Sequence, residues 1–362
     1  MRPLSIALTV DPYIPIPPKH QGGIERIVDM LARGLIARGH RLTLFAHPQS
    51  ELPARLVPYG APPHSGRLDR IVELYQVGLG VFRRRGDFDV VHSFGRLAAL
   101  LPILPLRDLP KIQSYQRPQV PWKGVRNAVR LAGDSILFTG CSDSVSRETA
   151  RLGPSAGSWR TVYNGVDAGK YSFVPSVPGD SPLVFLGRLE PMKGVHEAIA
   201  IARASGRRLV IAGDRVEAGP DRSYFDEQIA PHLNDRDVRY IGPVDDAGKN
   251  ALLGSAAALL FPTLWEEAFG IVMVEAMACG TPVVGFSRGA VPEVIKDGEN
   301  GYLCRTREDA IRAVLQLDRI DRGSVRADCE ARFEARVIVE AYEKLYEEMS
   351  SRRTHQAARP PW

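Results

Sequence analysis

The sequence predicts an α/β protein built from two doubly wound, Rossmann-like domains, and three observations lead there. Short apolar runs of strand type alternate with stretches of helical apolar spacing from Ser5 to Cys304. The alternation is interrupted at Val174–Pro182, VPSVPGDSP, a segment of linker composition. In each half, glycines stand where a strand hands over to a helix, at Gly22-Gly23 and at Gly270. That edge of a doubly wound sheet is where ligands bind.

Composition bounds the function. The 362 residues suffice for two domains, and 44% hydrophobic with 25% charged residues is the balance of a soluble globular chain. No apolar run approaches the roughly 18 residues that span a bilayer. The N-terminus, MRPLSIALTV, reads as a first strand and not as a signal peptide. Cys141, Cys279, Cys304 and Cys329 show no paired spacing, so free thiols and a cytoplasmic location are expected. No His/Cys cluster has metal-ligand spacing, and no metal is expected. The net charge of +5 gathers locally at Arg83-Arg84-Arg85 and Arg352-Arg353, which read as solvated surface. With no aromatic-interleaved basic stripe, nucleic acid is not a predicted partner.

The first half reads as strand Ser5–Val10, a proline-rich loop Asp11–Gly23, and an amphipathic helix Ile24–Arg38 with Ile27, Val28, Leu31 and Leu35 on its apolar face. Arg41–Ala46, Leu56–Tyr59, Phe88–Phe94, Lys111–Tyr115, Ile136–Cys141 and Thr161–Tyr163 follow as strands, with a helix over Leu68–Phe82. Gln116–Trp122 reads as irregular. His92, at a strand end, reads as a structural histidine before a catalytic one. Gly22-Gly23 opens a helix and is a place for phosphate, although on the residues alone a tight turn explains the pair better.

The second half repeats the alternation. Strands are expected from Leu183, at Arg208–Ala212, Val238–Ile241, Ala257–Phe261, Val283–Phe286 and Gly301–Cys304. Helices are expected from Gly194 to Ser205, at Asp245–Leu253, Ile271–Cys279, Arg307–Leu317, and as one or two pieces over Ala331–Met349. The domains read as 1–167 and 183–335 joined by a linker at 168–182. A terminal helix at 336–350 and a disordered tail at 351–362 complete the division. Arg188 and Lys193 follow the strand at Leu183, next to the start of a helix. Cations there oppose the helix dipole, so a bound anion is a reason for them.

The densest stretch is Phe261–Phe286, FPTLWEEAFGIVMVEAMACGTPVVGF: strand, glycine turn, helix, strand. Glu267 lies in the loop and Glu275 in the helix. Between them, the N–H groups near Gly270, Ile271 and Val272 lack helical partners and form an anion site. Phosphate suits such N–H groups, and carboxylates accept hydroxyls. A glutamate near a helix start is alone as well explained as a cap. The two together point to a ligand with a diphosphate between polyols, a nucleotide sugar.

These motifs resemble the retaining glycosyltransferases of family 4, which have the GT-B fold. The resemblance runs through Gly187-Arg188-x4-Lys193-Gly194, Glu267-Ala-Phe-Gly270, Glu275-Ala-Met-Ala-Cys-Gly-Thr-Pro and Gly289-Ala-Val-Pro-Glu293. It implies two Rossmann-like domains facing each other across a cleft that holds the active site. Arg188 and Lys193 would grip the departing diphosphate in place of a metal, Glu267 would contact the donor sugar and Glu275 the ribose. Gly22, Gly23, Phe269, Gly270, Ile271 and Val272 would line the donor. Relatives commonly carry a histidine near the reacting sugar where this sequence has Gln116, or Tyr115 with a one-residue offset. Glutamine donates a hydrogen bond but is no base. The expectation is a metal-independent hexosyltransferase with no cofactor beyond a UDP- or GDP-linked sugar as co-substrate. A lipid-linked, polysaccharide or small-molecule acceptor of the bacterial envelope and peripheral contact with the inner membrane surface go with it. Two alternatives stay open: a GT-B sugar-nucleotide epimerase, and a non-catalytic nucleotide-sugar-binding homologue. Neither half shows GxGxxG with a following acidic residue at dehydrogenase spacing.

Overall fold

A computed structural model of the chain describes residues 2–18, 22–60, 67–234 and 236–357. Part of the Asp11–Gly23 loop (19–21) and the end of the tail (358–362) lie outside them. The chain divides into two compact units, Met1–Asn164 with Ala335–Trp362, and Gly165–Glu334.

The first unit holds strands β1 (Ser5–Thr9), β2 (Arg41–Ala46), β3 (Arg55–Pro58), β4 (Val90–Ser93), β5 (Lys111–Tyr115), β6 (Ile136–Gly140) and β7 (Ser158–Thr161). They form one parallel sheet in the order β3-β2-β1-β4-β5-β6-β7. Its register runs Ser5↔Arg41 to Thr9↔Phe45 on one side of β1 and Ile6↔Val90 to Thr9↔Ser93 on the other. β1, β4, β5 and β6 are buried at every position, as expected for strands covered on both faces. The helix Gly23–Ala37 buries Ile27, Val28, Leu31 and Leu35. β7 begins three residues before the expected Thr161, because Trp159 is drawn into a stack with Tyr115 and Phe138, at ring-centre distances of 5.5 and 5.3 Å. The stretch after Gln116 passes into a helix, Trp122–Ala132, that the sequence reading did not assign.

The C-terminal helix Ala335–Ala357 belongs to this first unit and runs through most of the tail expected to be disordered. Its apolar and aromatic side chains supply the reason: Val339, Tyr342, Tyr346 and Met349 are buried. His92 sits among them, fully buried, with Nδ1 2.7 Å from the Tyr346 hydroxyl and Nε2 2.7 Å from Ser114 Oγ. The rings of Phe94 and Tyr342 flank it. No charged group is among these neighbours, and burial pushes the imidazole down from 6.5 to about 3. The unfolded histidine therefore takes up its proton at a higher pH than the folded one. Stability is intact above pH 6.5 and falls by up to about 1.4 kcal/mol per pH unit as pH drops from there towards 3. Denaturation midpoints measured across pH 4–7 check this, and His92→Gln flattens that part of the profile.

The second unit holds β8 (Leu183–Leu186), β9 (Leu209–Ala212), β10 (Val238–Tyr240), β11 (Ala258–Phe261), β12 (Val283–Phe286) and β13 (Gly301–Cys304). These strands are also parallel, in the order β10-β9-β8-β11-β12-β13. Leu183, Phe185, Ile199, Ile211, Leu260 and Val284 are part of the core under one face.

The stretch read as linker, Ala168–Pro182, lies within this unit. Its start is fastened there by backbone acceptors. The Val174 N–H donates to Cys279 O at 3.1 Å, Arg322 Nε to Val174 O at 2.7 Å, and Arg326 to the carbonyls of Tyr171 and Ala168, both at 3.1 Å. All four cysteines are buried and none is in a disulfide. Among the described residues, no helix is long and apolar enough to cross a membrane, and no group of three His, Cys, Asp or Glu is placed to hold a metal ion.

Candidate active site

In the second unit the strand order reverses between β8 and β11, with β9 and β10 to one side and β12 and β13 to the other. The loops leaving these two strands at their C-terminal ends stand at the general ligand position of doubly wound sheets. Lys193 rides on the first loop and Glu267 on the second.

Backbone contacts pin the two loops together. Leu264 N–H donates to Met192 O at 2.8 Å. Gly194 lies in the left-handed region (φ 74°), and a Cβ there would stand 2.0 Å from Pro262 O. Only glycine permits this approach. Gly194→Ala is therefore expected to cost about 1–3 kcal/mol of stability from backbone strain alone and to lower turnover by displacing Lys193. Denaturation and steady-state kinetics on one preparation check both effects.

The pinned loops bring Lys193 Nζ within 2.7 Å of Glu267 Oε2. Trp265 Nε1 donates to the same oxygen at 3.0 Å, and its ring lies 4.8 Å from Nζ. The Ala268 N–H reaches Glu267 Oε1 at 3.2 Å. Glu267 is thus buried but fully engaged. Its backbone is held from behind by Gly289, where a Cβ would lie 2.2 Å from Glu267 O, and by Ala290 N–H, which donates to that oxygen at 2.8 Å.

Beyond this loop Phe269 is buried edge-to-face on Phe333. Gly270 adopts the left-handed conformation (φ 82°) and the helix Ile271–Ala278 starts without a side-chain cap. Gly270, Ile271 and Val272 are half-buried at that start.

Arg188 and Glu275 have partners of their own. Arg188 extends from the end of β8, 57% exposed, and pairs with Glu190 Oε1 at 2.7 Å, while the buried Glu190 Oε2 has no partner among the described residues. Glu275 is buried, and both of its contacts fall on Oε1: Lys249 Nζ at 2.5 Å and the Tyr171 hydroxyl at 2.8 Å. Lys249 and Tyr171 were not singled out by the sequence reading. Lys249 lay in a helix read only for its periodicity, and Tyr171 in the supposed linker.

The remaining expected residues belong to the first unit. Gln116 follows the last residue of β5; its Oε1 accepts from Asn164 Nδ2 at 2.8 Å, and its Nε2 is buried without a partner among the described residues. The neighbouring Tyr115 hydroxyl is likewise buried and unpartnered, and burial pushes its pKa up. Gly22 and Gly23 open the Gly23–Ala37 helix, but Glu25 already faces this end. A Cβ on Gly22 would lie 3.0 Å from Glu25 Oε2, and the Glu25 carboxylate accepts a hydrogen bond from its own backbone N–H. A carboxylate placed there competes with phosphate. His92, buried under the C-terminal helix, is a structural residue.

Two parallel sheets of Rossmann type, with ligand-capable side chains at the switch point of the second, define an α/β protein of the GT-B fold. The sucrose-phosphate synthase structure from Thermosynechococcus elongatus superposes with a TM-score of 0.79, at 20% identity, over 96% of this chain and all of that one. HepE of Anabaena, solved with UDP-glucose, superposes at 0.72 and 19% identity over 95% of this chain and 100% of its own. The family Glycosyltransferase Family 4 matches residues 21–170, and Glycosyl transferases group 1 matches residues 172–330. Together the two matches span most of the chain and support a GT-B glycosyltransferase of group 1. Similar curated proteins include the glycogen synthase of Mycobacterium tuberculosis, 28% identical over 83% of this chain and 84% of its own length. The phosphatidyl-myo-inositol mannosyltransferase of Mycobacterium leprae is 29% identical over 91% and 94%.

Proposed function

We propose that this glycosyltransferase moves a sugar from a UDP- or GDP-linked donor to an acceptor hydroxyl with retention of configuration and without a metal. The observation that carries the reading is Lys193 Nζ held 2.7 Å from Glu267 on adjacent loops at the switch point, with Arg188 on the same loop as Lys193. HepE's complex with UDP-glucose and the transfer activities named for the mycobacterial relatives support it. They also favour transfer over epimerisation.

In this account the donor diphosphate draws Lys193 and the exposed Arg188 away from their carboxylates. Arg188 grips phosphate oxygens bidentately and Lys193 adds a point charge. The N–H groups at Ile271 and Val272 take further phosphate oxygens. The bond from the anomeric carbon to the phosphate oxygen breaks with its electron pair going to the diphosphate, whose growing charge the two cations stabilise. The acceptor oxygen bonds to the anomeric carbon, and its proton passes to the departing phosphate oxygen, so no protein base is required. Glu267 receives donor-sugar hydroxyls. Glu275 keeps Lys249 and Tyr171 on Oε1 and offers Oε2 to the ribose. Gln116 donates from Nε2 to a sugar hydroxyl. An envelope glycolipid or polysaccharide acceptor, reached at the cytoplasmic membrane face, completes the proposal.

The test is product stereochemistry by NMR from a donor of defined anomeric configuration, with and without EDTA. Retention with EDTA-insensitive turnover is expected; inversion or a metal requirement overturns the reading.

A further inference from the structure

A cavity of about 450 Å³ opens in the first unit between β5, the loop after β4 and the Trp122–Ala132 helix. That volume falls in the range of small-molecule sites. Phe94, Leu97, Leu101, Leu104, Ala128 and Leu131 contribute its apolar lining. Leu101 and Leu131 are each 44% exposed, an unusual disposition for two leucines on one concave surface. Tyr115 and Gln116 also line it, and each carries a buried donor with no partner among the described residues, the hydroxyl and Nε2. Buried donors are normally satisfied, so these two call for an oxygen atom that a ligand would bring. Asp11, Arg96, Arg117, Gln119 and Asn127 also line the cavity and can meet a hydroxyl-bearing head, whereas the leucine wall has nothing to offer hydroxyls.

We infer that the acceptor is an amphiphile, with a hydroxyl-bearing head that meets Gln116 and Tyr115 and an apolar alkyl, prenyl or aryl body that fills this cavity. The inference rests on the proposed glycosyl transfer and narrows its acceptor class: a molecule made only of sugar leaves the cavity unfilled. The apolar body excludes water from the lining, and the head is thereby oriented with its hydroxyl at the end of β5.

Gly124 offers a variant that blocks the cavity without breaking the fold. It lines the cavity from within the helix, and a Cβ there would meet Leu97 Cδ2 at 3.6 Å, an ordinary contact. Leucine is also the better helix former. The experiment is calorimetric titration of the full chain with methyl, butyl, hexyl and octyl glucoside, each below its micellar concentration. Wild type, Gly124→Leu and Tyr115→Phe are compared. Wild-type affinity is expected to rise about fourfold per added methylene until the cavity is full. Gly124→Leu abolishes the dependence on chain length, and Tyr115→Phe weakens the longer glucosides while keeping it. An affinity independent of chain length in wild type, or a gradient that survives Gly124→Leu, overturns the inference. Nucleotide-induced thermal shifts on the same samples separate the two levels. Nucleotide binding without a chain-length gradient removes the amphiphile and leaves the transferase. A gradient without nucleotide binding removes the transferase reading and leaves an apolar-ligand site.

Discussion

Lys193→Ala lowers turnover by about 10²–10³-fold, the range for removing one pre-placed group that stabilises developing charge in a transition state. The geometry sets the direction. Lys193 Nζ is within 2.7 Å of Glu267 at the end of a loop that Gly194 and Leu264 hold against the next strand's loop. The loop that carries it is therefore placed before the donor arrives, and only the side chain has to turn from Glu267 to the diphosphate. Glu267 keeps Trp265 Nε1 and the Ala268 N–H after the substitution, so the fold is expected to survive. Arg188→Ala acts on the same diphosphate but from an exposed side chain, and its effect is expected to appear in donor affinity as well as turnover. Steady-state kinetics at saturating donor separates the two. Substantial turnover in both variants would count against the assigned roles.

Arg322→Met produces the largest loss of stability. Arg322 is buried, and its guanidinium donates to Val174 O at 2.7 Å, Thr281 Oγ1 at 2.8 Å, Ala256 O at 2.9 Å and Gly254 O at 3.0 Å. Methionine keeps much of the stem but strands these buried acceptors, at about 1–3 kcal/mol for each one left without a partner. A loss of about 3 kcal/mol or more is expected, together with loosening of the Ala168–Val174 segment and hence of Tyr171 on Glu275. Chemical denaturation gives the first quantity. Amide exchange at Val174, whose N–H donates to Cys279 O, gives the second. A change below about 1 kcal/mol would show that water replaces the guanidinium.

Much of the fold was legible because its strands are short, apolar and bounded by glycine, proline or polar turns. Lys111–Tyr115, Val283–Phe286 and Gly301–Cys304 have the same limits in sequence and structure. The Trp122–Ala132 helix was passed over although its charged Lys123, Arg126 and Arg130 and its buried Val125, Ala128 and Ala132 segregate strongly around the axis. Pro118 and Pro121 before it and Gly124 within it gave the stretch an irregular look. The C-terminal helix was read as ending at residue 350, whereas helical geometry continues to Ala357.

The site shows the same division. Arg188, Lys193, Glu267 and Glu275 stood out because charge next to a helix start or a glycine turn asks for an explanation. The structure places Lys193 on Glu267, and gives Glu275 the partners Lys249 and Tyr171, which lie 26 and 104 residues away in sequence. Such partners have no local signature. Arg322 did carry one, a cation in the first turn of the Arg322–Arg332 helix against the dipole. The Ala168–Pro182 stretch has linker composition, yet the carbonyls at its start are the acceptors that Arg322 and Arg326 hold.

The most direct test of the donor site is a thermal-shift series with UDP, GDP, ADP and their common sugar conjugates, run on wild type and on Arg188→Ala. It needs no acceptor. At about 100 times its dissociation constant a bound nucleotide adds roughly 2.7 kcal/mol of stability. The predicted result is a clear rise with one nucleotide family, lost or strongly reduced in Arg188→Ala. No shift with any of them, in a protein that unfolds cooperatively, contradicts a nucleotide-sugar donor at the β8–β11 switch point.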